Sequence, residues 1–238
     1  MRKALVCAWV QMRLYIRSGR IVFALLMLIG YPFVFYHIVP VDVVSSFLMS
    51  TVAAFAWSAW IALAMNWSEE PVLRHVLMVK SGASRYHIAQ ALWLLLFGAA
   101  GGVFLICLPM LGRAVYIHGM FVRGPSFREV MLGILLNACA GICGAFVGGF
   151  FHPSIIRDRK MAYLFCLLIG LLGLTAGMAG VPFASRLLLP PLYDSLYRLG
   201  QSAELETGGA LAHCIWYLLY TGACIGLRTF ALIKAKES

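Results

Sequence analysis

The sequence predicts an all-α integral membrane protein: six transmembrane helices, an N-terminal interfacial helix, a short cytoplasmic helix and an external insert that is re-entrant or briefly helical. Three observations carry this. Of 238 residues, 62% are hydrophobic and only 12% are charged, with a mean hydropathy of +0.89. A soluble domain sits near 45–50% apolar and about 25% charged. Six long uncharged stretches punctuate the chain, and about 20 apolar residues cross a bilayer as a helix. The basic residues are unevenly divided between the connections. Together these exclude an ordinary soluble domain, a disordered chain and a disulfide scaffold. Little length remains for a soluble catalytic domain, and no strand-like alternation suggests a barrel.

Residues 1–20 come first. On a helical wheel Arg2, Arg13, Arg17 and Arg20 share one side, with Ala4, Ala8, Met12 and Tyr15 roughly opposite. That pattern suits a helix lying in the membrane interface, its arginines near anionic headgroups. A cleaved signal peptide is not expected, because Gln11 and Arg13 break the apolar run and no small-x-small site follows.

The expected spans cover about 21–40, 43–66, 88–110, 130–151, 161–181 and 208–227. Counting from the first span, alternate connections and the two termini carry fourteen Lys and Arg, against five on the other side. The positive-inside bias then places both termini in the cytoplasm of a plasma-membrane protein. The net charge of +10 reads as topology, with no nucleic-acid partner implied.

Between spans two and three, the chain predicts a short helix over 69–81. Ser68 can cap it, Glu69 and Glu70 suit its positive end, and Pro71 suits its first turn. Val72, Leu73, Val76 and Leu77 form an apolar stripe; Lys80 and Gly82 close the helix. Before span six, residues 181–208 change character at Pro190 and Pro191. Leu192, Leu196 and Leu199 then recur at helical spacing around Tyr193 and Tyr197.

Gly98 and Gly102, Gly144 and Gly148, and Gly173 and Gly177 form G-x-x-x-G pairs. They predict close helix packing, within the bundle or across a dimer. The seven cysteines include no C-x-x-C and read as small apolar side chains. No phosphate-binding Gly-rich loop, H-E-x-x-H or G-x-S-x-G occurs. No catalytic residue, metal ligand or bound cofactor is therefore assigned to this chain. Glu69-Glu70-Pro71-Val72-Leu73-Arg74 fits E-E-x-x-x-R, which resembles the first motif of the CAAX-type intramembrane proteases. The histidine motifs required downstream are missing, and helix-end electrostatics explain the acids more simply. His213 is the one histidine well inside a span.

In order, these parts resemble the ABC-2 type transporter permeases. The stretch from Glu70 to Arg85 is similar to that family's coupling helix: an acidic residue, a leucine-containing turn, a small-residue turn (Ser81-Gly82-Ala83-Ser84) and an arginine. Many members carry proline in that turn; this chain does not. The resemblance implies an exporter permease that pairs with a second copy or a related permease in the lipid bilayer. A separate cytoplasmic ATPase, holding ATP and Mg, would dock on Glu69, Glu70, Pro71, Leu73, Arg74, Leu77 and Arg85. Arg157, Asp158 and Arg159 would supply a second contact, and Pro190, Pro191, Tyr193 and Tyr197 an external gate. The cargo would be amphipathic or hydrophobic. The alternative of another class is the substrate-capturing membrane subunit of a vitamin importer.

Overall fold

The computed structural model describes residues 2–37, 40–116, 120–180, 182 and 186–237. Nine helices are found among them: α1 (Arg2–Arg17), α2 (Ile21–Phe35), α3 (Val43–Asn66), α4 (Pro71–Ser81), α5 (Ala83–Tyr116), α6 (Phe127–Phe150), α7 (Arg159–Thr175), α8 (Leu192–Leu199) and α9 (Thr207–Glu237). No strand occurs among the described residues; an isolated bridge joins Val41 to Phe121.

Four helices are long and apolar enough to cross a membrane: α3, α5 as far as Gly112, α6, and α9 as far as Leu232. The pair from Leu5 through α2 qualifies only when taken together, and it is bent by 77°. The chain is thus a multi-pass membrane protein with four or five candidate crossings, where the sequence predicts six. The difference lies in α2 and α7. Their 15 and 17 residues reach about 22 and 25 Å at 1.5 Å per residue, short of a ~30 Å hydrocarbon core. The helix of α7 stops at Thr175, and turns follow as far as Gly180, whose φ of +69° suits glycine. The expected ends of spans one and five fall partly on 38–39 and 181, and part of the insert falls on 183–185, outside the described residues.

The centre of the bundle is α3 against α6, with α5 and α9 on the other faces of α6. Glycine permits this approach. A Cβ at Gly144 or Gly148 would run into the backbone of Phe55 or Ala59 on α3. One at Gly98 or Gly102 would run into the backbone of α6. Asn137 adds polar adhesion, donating to the Phe47 carbonyl and the Thr51 hydroxyl, both at 3.2 Å.

Bonds at the helix ends show that the bundle has two distinct ends. At one, Arg20 donates to the Ala64 carbonyl, Tyr86 to Glu69, and Arg228 to Gln90. The residues that the sequence assigns to the cytoplasm gather there. At the other, Ser126 and Glu129 form a capping box that starts α6. Arg123 joins that Glu129 by two hydrogen bonds and also donates to the Ala203 carbonyl at 2.7 Å.

Candidate functional site

The basic end holds the one short helix lying between two long ones, α4. Asn66 ends α3, and the Ser68 hydroxyl donates back to the Met65 carbonyl at 2.8 Å. Ser68 therefore finishes α3, whereas the sequence suggests it as the cap of α4. The N-cap is Glu70, followed by Pro71, whose missing N–H costs nothing at a helix start. At the far end of α4, Gly82 adopts a φ of +85° and its N–H bonds the Met78 carbonyl.

The two adjacent glutamates part company. Glu70 is exposed, while Glu69 is buried. The Glu69 carboxylate accepts a 2.6 Å hydrogen bond from the Tyr86 hydroxyl and lies 4.0 Å from Arg74 Nε. Burial raises its pKa above the ordinary carboxylate value, against the pull of Tyr86 and Arg74. Packing thus accounts for the first acid and the arginine of E-E-x-x-x-R: Glu69 is taken up by Tyr86 and Arg74, while Glu70 sits at the N-cap position without a side-chain capping bond.

From Arg74 a chain of polar contacts runs into the bundle. Its guanidinium donates to the Asn66 and Glu69 carbonyls at 3.3 and 3.4 Å. The Asn66 amide donates to the Gly149 and Gly148 carbonyls at 3.2 and 3.4 Å, satisfying the end of α6. Its side-chain oxygen accepts from Gln90 at 2.5 Å, and Gln90 in turn accepts from Arg228 on α9. Asn66, Gln90 and Arg228 are each 5% exposed or less, so five helices meet through side chains that water hardly reaches. Two of those helices, α3 and α6, end here. The partial negative charge of their last carbonyls suits the buried guanidinium of Arg228 and the half-buried one of Arg74.

His152 completes the cluster at zero exposure. Its Nδ1 accepts the Ser154 N–H at 3.2 Å, and its ring lies 6.3 Å from that of His87. Burial and the charges of Arg74 and Arg228 push its pKa well below the ordinary value. It is held neutral, with its proton on Nε2.

The remaining site residues are placed as follows. Along α4, Leu73 and Leu77 are half-buried, and Leu77 packs with Cys7, Ala8 and Tyr86. The outward face is instead Val72, His75, Val76 and Val79, with Val72 74% and Val79 71% exposed. Arg85 is exposed. Arg157 and Asp158 stand exposed before α7 and Arg159 stands exposed at its first position, with Asp158 capping the helix through the Lys160 N–H. At the other end, Pro190 is buried against Gly173, and the Pro191 carbonyl accepts from Tyr217. Tyr193 stacks on Tyr197 with ring centres 5.5 Å apart and lies over Gly177. All six glycines of the predicted pairs face neighbours within the chain. A fourth pair, Gly222 and Gly226, has open space around both members. His213 bonds the Gly209 carbonyl one turn back at 2.8 Å.

Sequence reasoning missed Asn66, Gln90, His152 and Arg228 as members of one cluster. A signal was available. The chain holds only two Asn and three Gln, and four of these five are buried: Gln11, Asn66, Gln90 and Asn137. Carboxamides on apolar helices point inward to partners. Among the described residues, no three His, Cys, Asp or Glu side chains group to hold a metal ion. What the cluster can do is mechanical: it couples α4 to α3, α5, α6 and α9. In comparisons with known proteins, no family model, curated protein or solved structure matches the chain.

Proposed function

We propose that this chain is the membrane-spanning permease subunit of an ATP-binding cassette exporter, paired with a second permease and driven by a separate cytoplasmic ATPase. The observation that carries this reading is the two-sidedness of α4. Outward it presents Val72, His75, Val76 and Val79; inward, Glu69 and Arg74 fasten its start to Tyr86 and Asn66. A push delivered to the valine face would pass through the Asn66–Gln90–Arg228 chain to three long helices. The chain itself carries no nucleotide-binding loop, so ATP and Mg belong to the partner. On this reading α2 and α7 complete six crossings, the basic end faces the cytoplasm of the plasma membrane, and the α8 region closes the outer side. The cargo is amphipathic or hydrophobic.

The reading is tested by co-purifying the tagged chain from its native membrane and asking whether an ATP-binding cassette ATPase comes with it. Val72→Asp and Val79→Asp are expected to abolish the association while leaving the fold intact. Leu77→Ala, on the inner side, is expected to lower stability first. Association that survives both aspartates would overturn the docking role of α4.

A further inference from the structure

A groove of about 640 Å³ runs along α3 between α2 and α7. Its floor is made of small residues, Ala56 and Ala59 of α3 and Gly170 of α7. Its walls are apolar: Phe23 and Met27 on one side, Leu167 and Leu171 on the other. Protein interiors leave few voids larger than a water, so an apolar channel of this size in a bilayer takes in hydrocarbon. Its length is informative. Along α3 the lining runs from Val52 to Leu63, about 17 Å at 1.5 Å per residue, close to one leaflet of about 15 Å.

Among the described residues, the groove is charged at one end only. Lys160 lines it there. Arg159 lies over the ring of Tyr163 at 5.5 Å, and Arg20 bonds the carbonyl of Ala64, next to the lining Leu63. The carboxylate at this mouth, Asp158, is occupied in capping α7 through the Lys160 N–H at 2.8 Å. Phe23, Trp60 and Tyr163 follow one another just inside, the first pair tilted and the second edge-to-face, with ring centres 4.7 and 5.1 Å apart; aromatic side chains gather in this way at headgroup level. Among the described residues, none that is charged lines the opposite end, near Val52, Leu174 and Leu192.

We propose that this groove is a binding site for an anionic phospholipid, one acyl chain lying over Ala56 and Gly170 and the phosphate meeting Lys160, Arg159 and Arg20. Charge complementarity selects the headgroup, since basic side chains at a membrane surface favour anionic lipid. The leaflet-long apolar channel selects a diacyl lipid over a free anion. The site requires only that the chain span a membrane, and it stands whether or not the chain is an exporter.

The test uses the full chain in detergent, with phosphatidylglycerol and phosphatidylcholine of identical acyl chains added in equal amount. Retained lipid is counted by native mass spectrometry. Wild type is expected to retain phosphatidylglycerol at least tenfold better. Lys160→Ala should cut that preference about fivefold, as one charge near the surface does, and Arg159→Ala should cut it further. Ala56→Phe, which fills the floor at an exposed position, should remove lipid retention while the melting temperature holds. Equal retention of the two lipids would overturn the proposal. So would a preference that Ala56→Phe leaves intact, or a dimer whose subunits exclude lipid from the groove.

Discussion

The hydroxyl of Tyr86 donates to the carboxylate of Glu69 at 2.6 Å, joining the connection before α4 to the first turn of α5. The partner at one remove is Arg74, 4.0 Å from the same carboxylate. The bond turns Glu69 inward while Glu70, the next residue, remains at the surface.

Tyr86→Phe keeps the ring and deletes the donor, leaving a buried carboxylate short of a partner. It is expected to cost about 1–3 kcal/mol. Glu70→Gln, one residue from the bonded acid but exposed, should stay within about 0.5 kcal/mol. Thermal or denaturant unfolding of the detergent-solubilised protein compares them. Equal effects would mean that the Tyr86 bond adds nothing.

Acidification should act on Glu69 and His152 in opposite senses. Burial raises the Glu69 pKa, so its share of stability is present below the ordinary carboxylate value and is lost as pH rises through the higher folded value. His152 is pushed the other way by burial, Arg74 and Arg228. Its share is present above about pH 6.5 and is lost as pH falls toward the folded value. His152→Asn keeps an acceptor near the Nδ1 position without a titrating ring. Between pH 7.5 and 5 the melting midpoint of wild type should fall relative to that variant. Against Glu69→Gln, wild type should instead gain. Parallel curves in either comparison would show that the residue does not titrate in a buried setting.

Two glycine-to-alanine changes should have opposite signs. At Gly148 the added methyl meets the Ala59 backbone, and overpacking of this kind costs about 1–3 kcal/mol. At Gly30, inside α2, nothing lies within 4 Å, and alanine should gain about 0.5–1 kcal/mol from the stiffer unfolded chain. The unfolding midpoints of the two variants, measured side by side, decide it.

Hydropathy located the central helices well. The expected 43–66 coincides with α3 (Val43–Asn66), and the expected 69–81 differs from α4 (Pro71–Ser81) by two residues. It fails where an apolar run outlasts its helix. Residues 161–181 are uniformly uncharged, yet α7 ends at Thr175 and turns follow as far as Gly180, whose positive φ no hydropathy scale registers. The faces of α4 were the harder inference. The sequence stripe includes Leu73 and Leu77 along with Val72 and Val76, and a helix only three turns long can be rotated either way. The placement of α1 against its inner side decides the matter, through Cys7 and Ala8. The buried cluster was legible only as scattered carboxamides. Arg228 and Gln90 are 138 residues apart in sequence, and no local pattern announces such a pair.

The bend after α1 has a consequence for the order of assembly. At Gly19 (φ +70°) the chain turns sharply from α1 into α2, and α1 rests on α5, where Trp93 Nε1 donates to the Ala8 carbonyl 85 residues away. A ribosome adding about 5–20 residues per second needs roughly 4–17 s to make that stretch. For that interval α1 lacks the helix it mainly rests on, with Leu5, Val6 and Trp9 on its surface. The bilayer surface must help to hold it until α5 arrives, so α1 reaches its final seat only after helices that follow it in the chain.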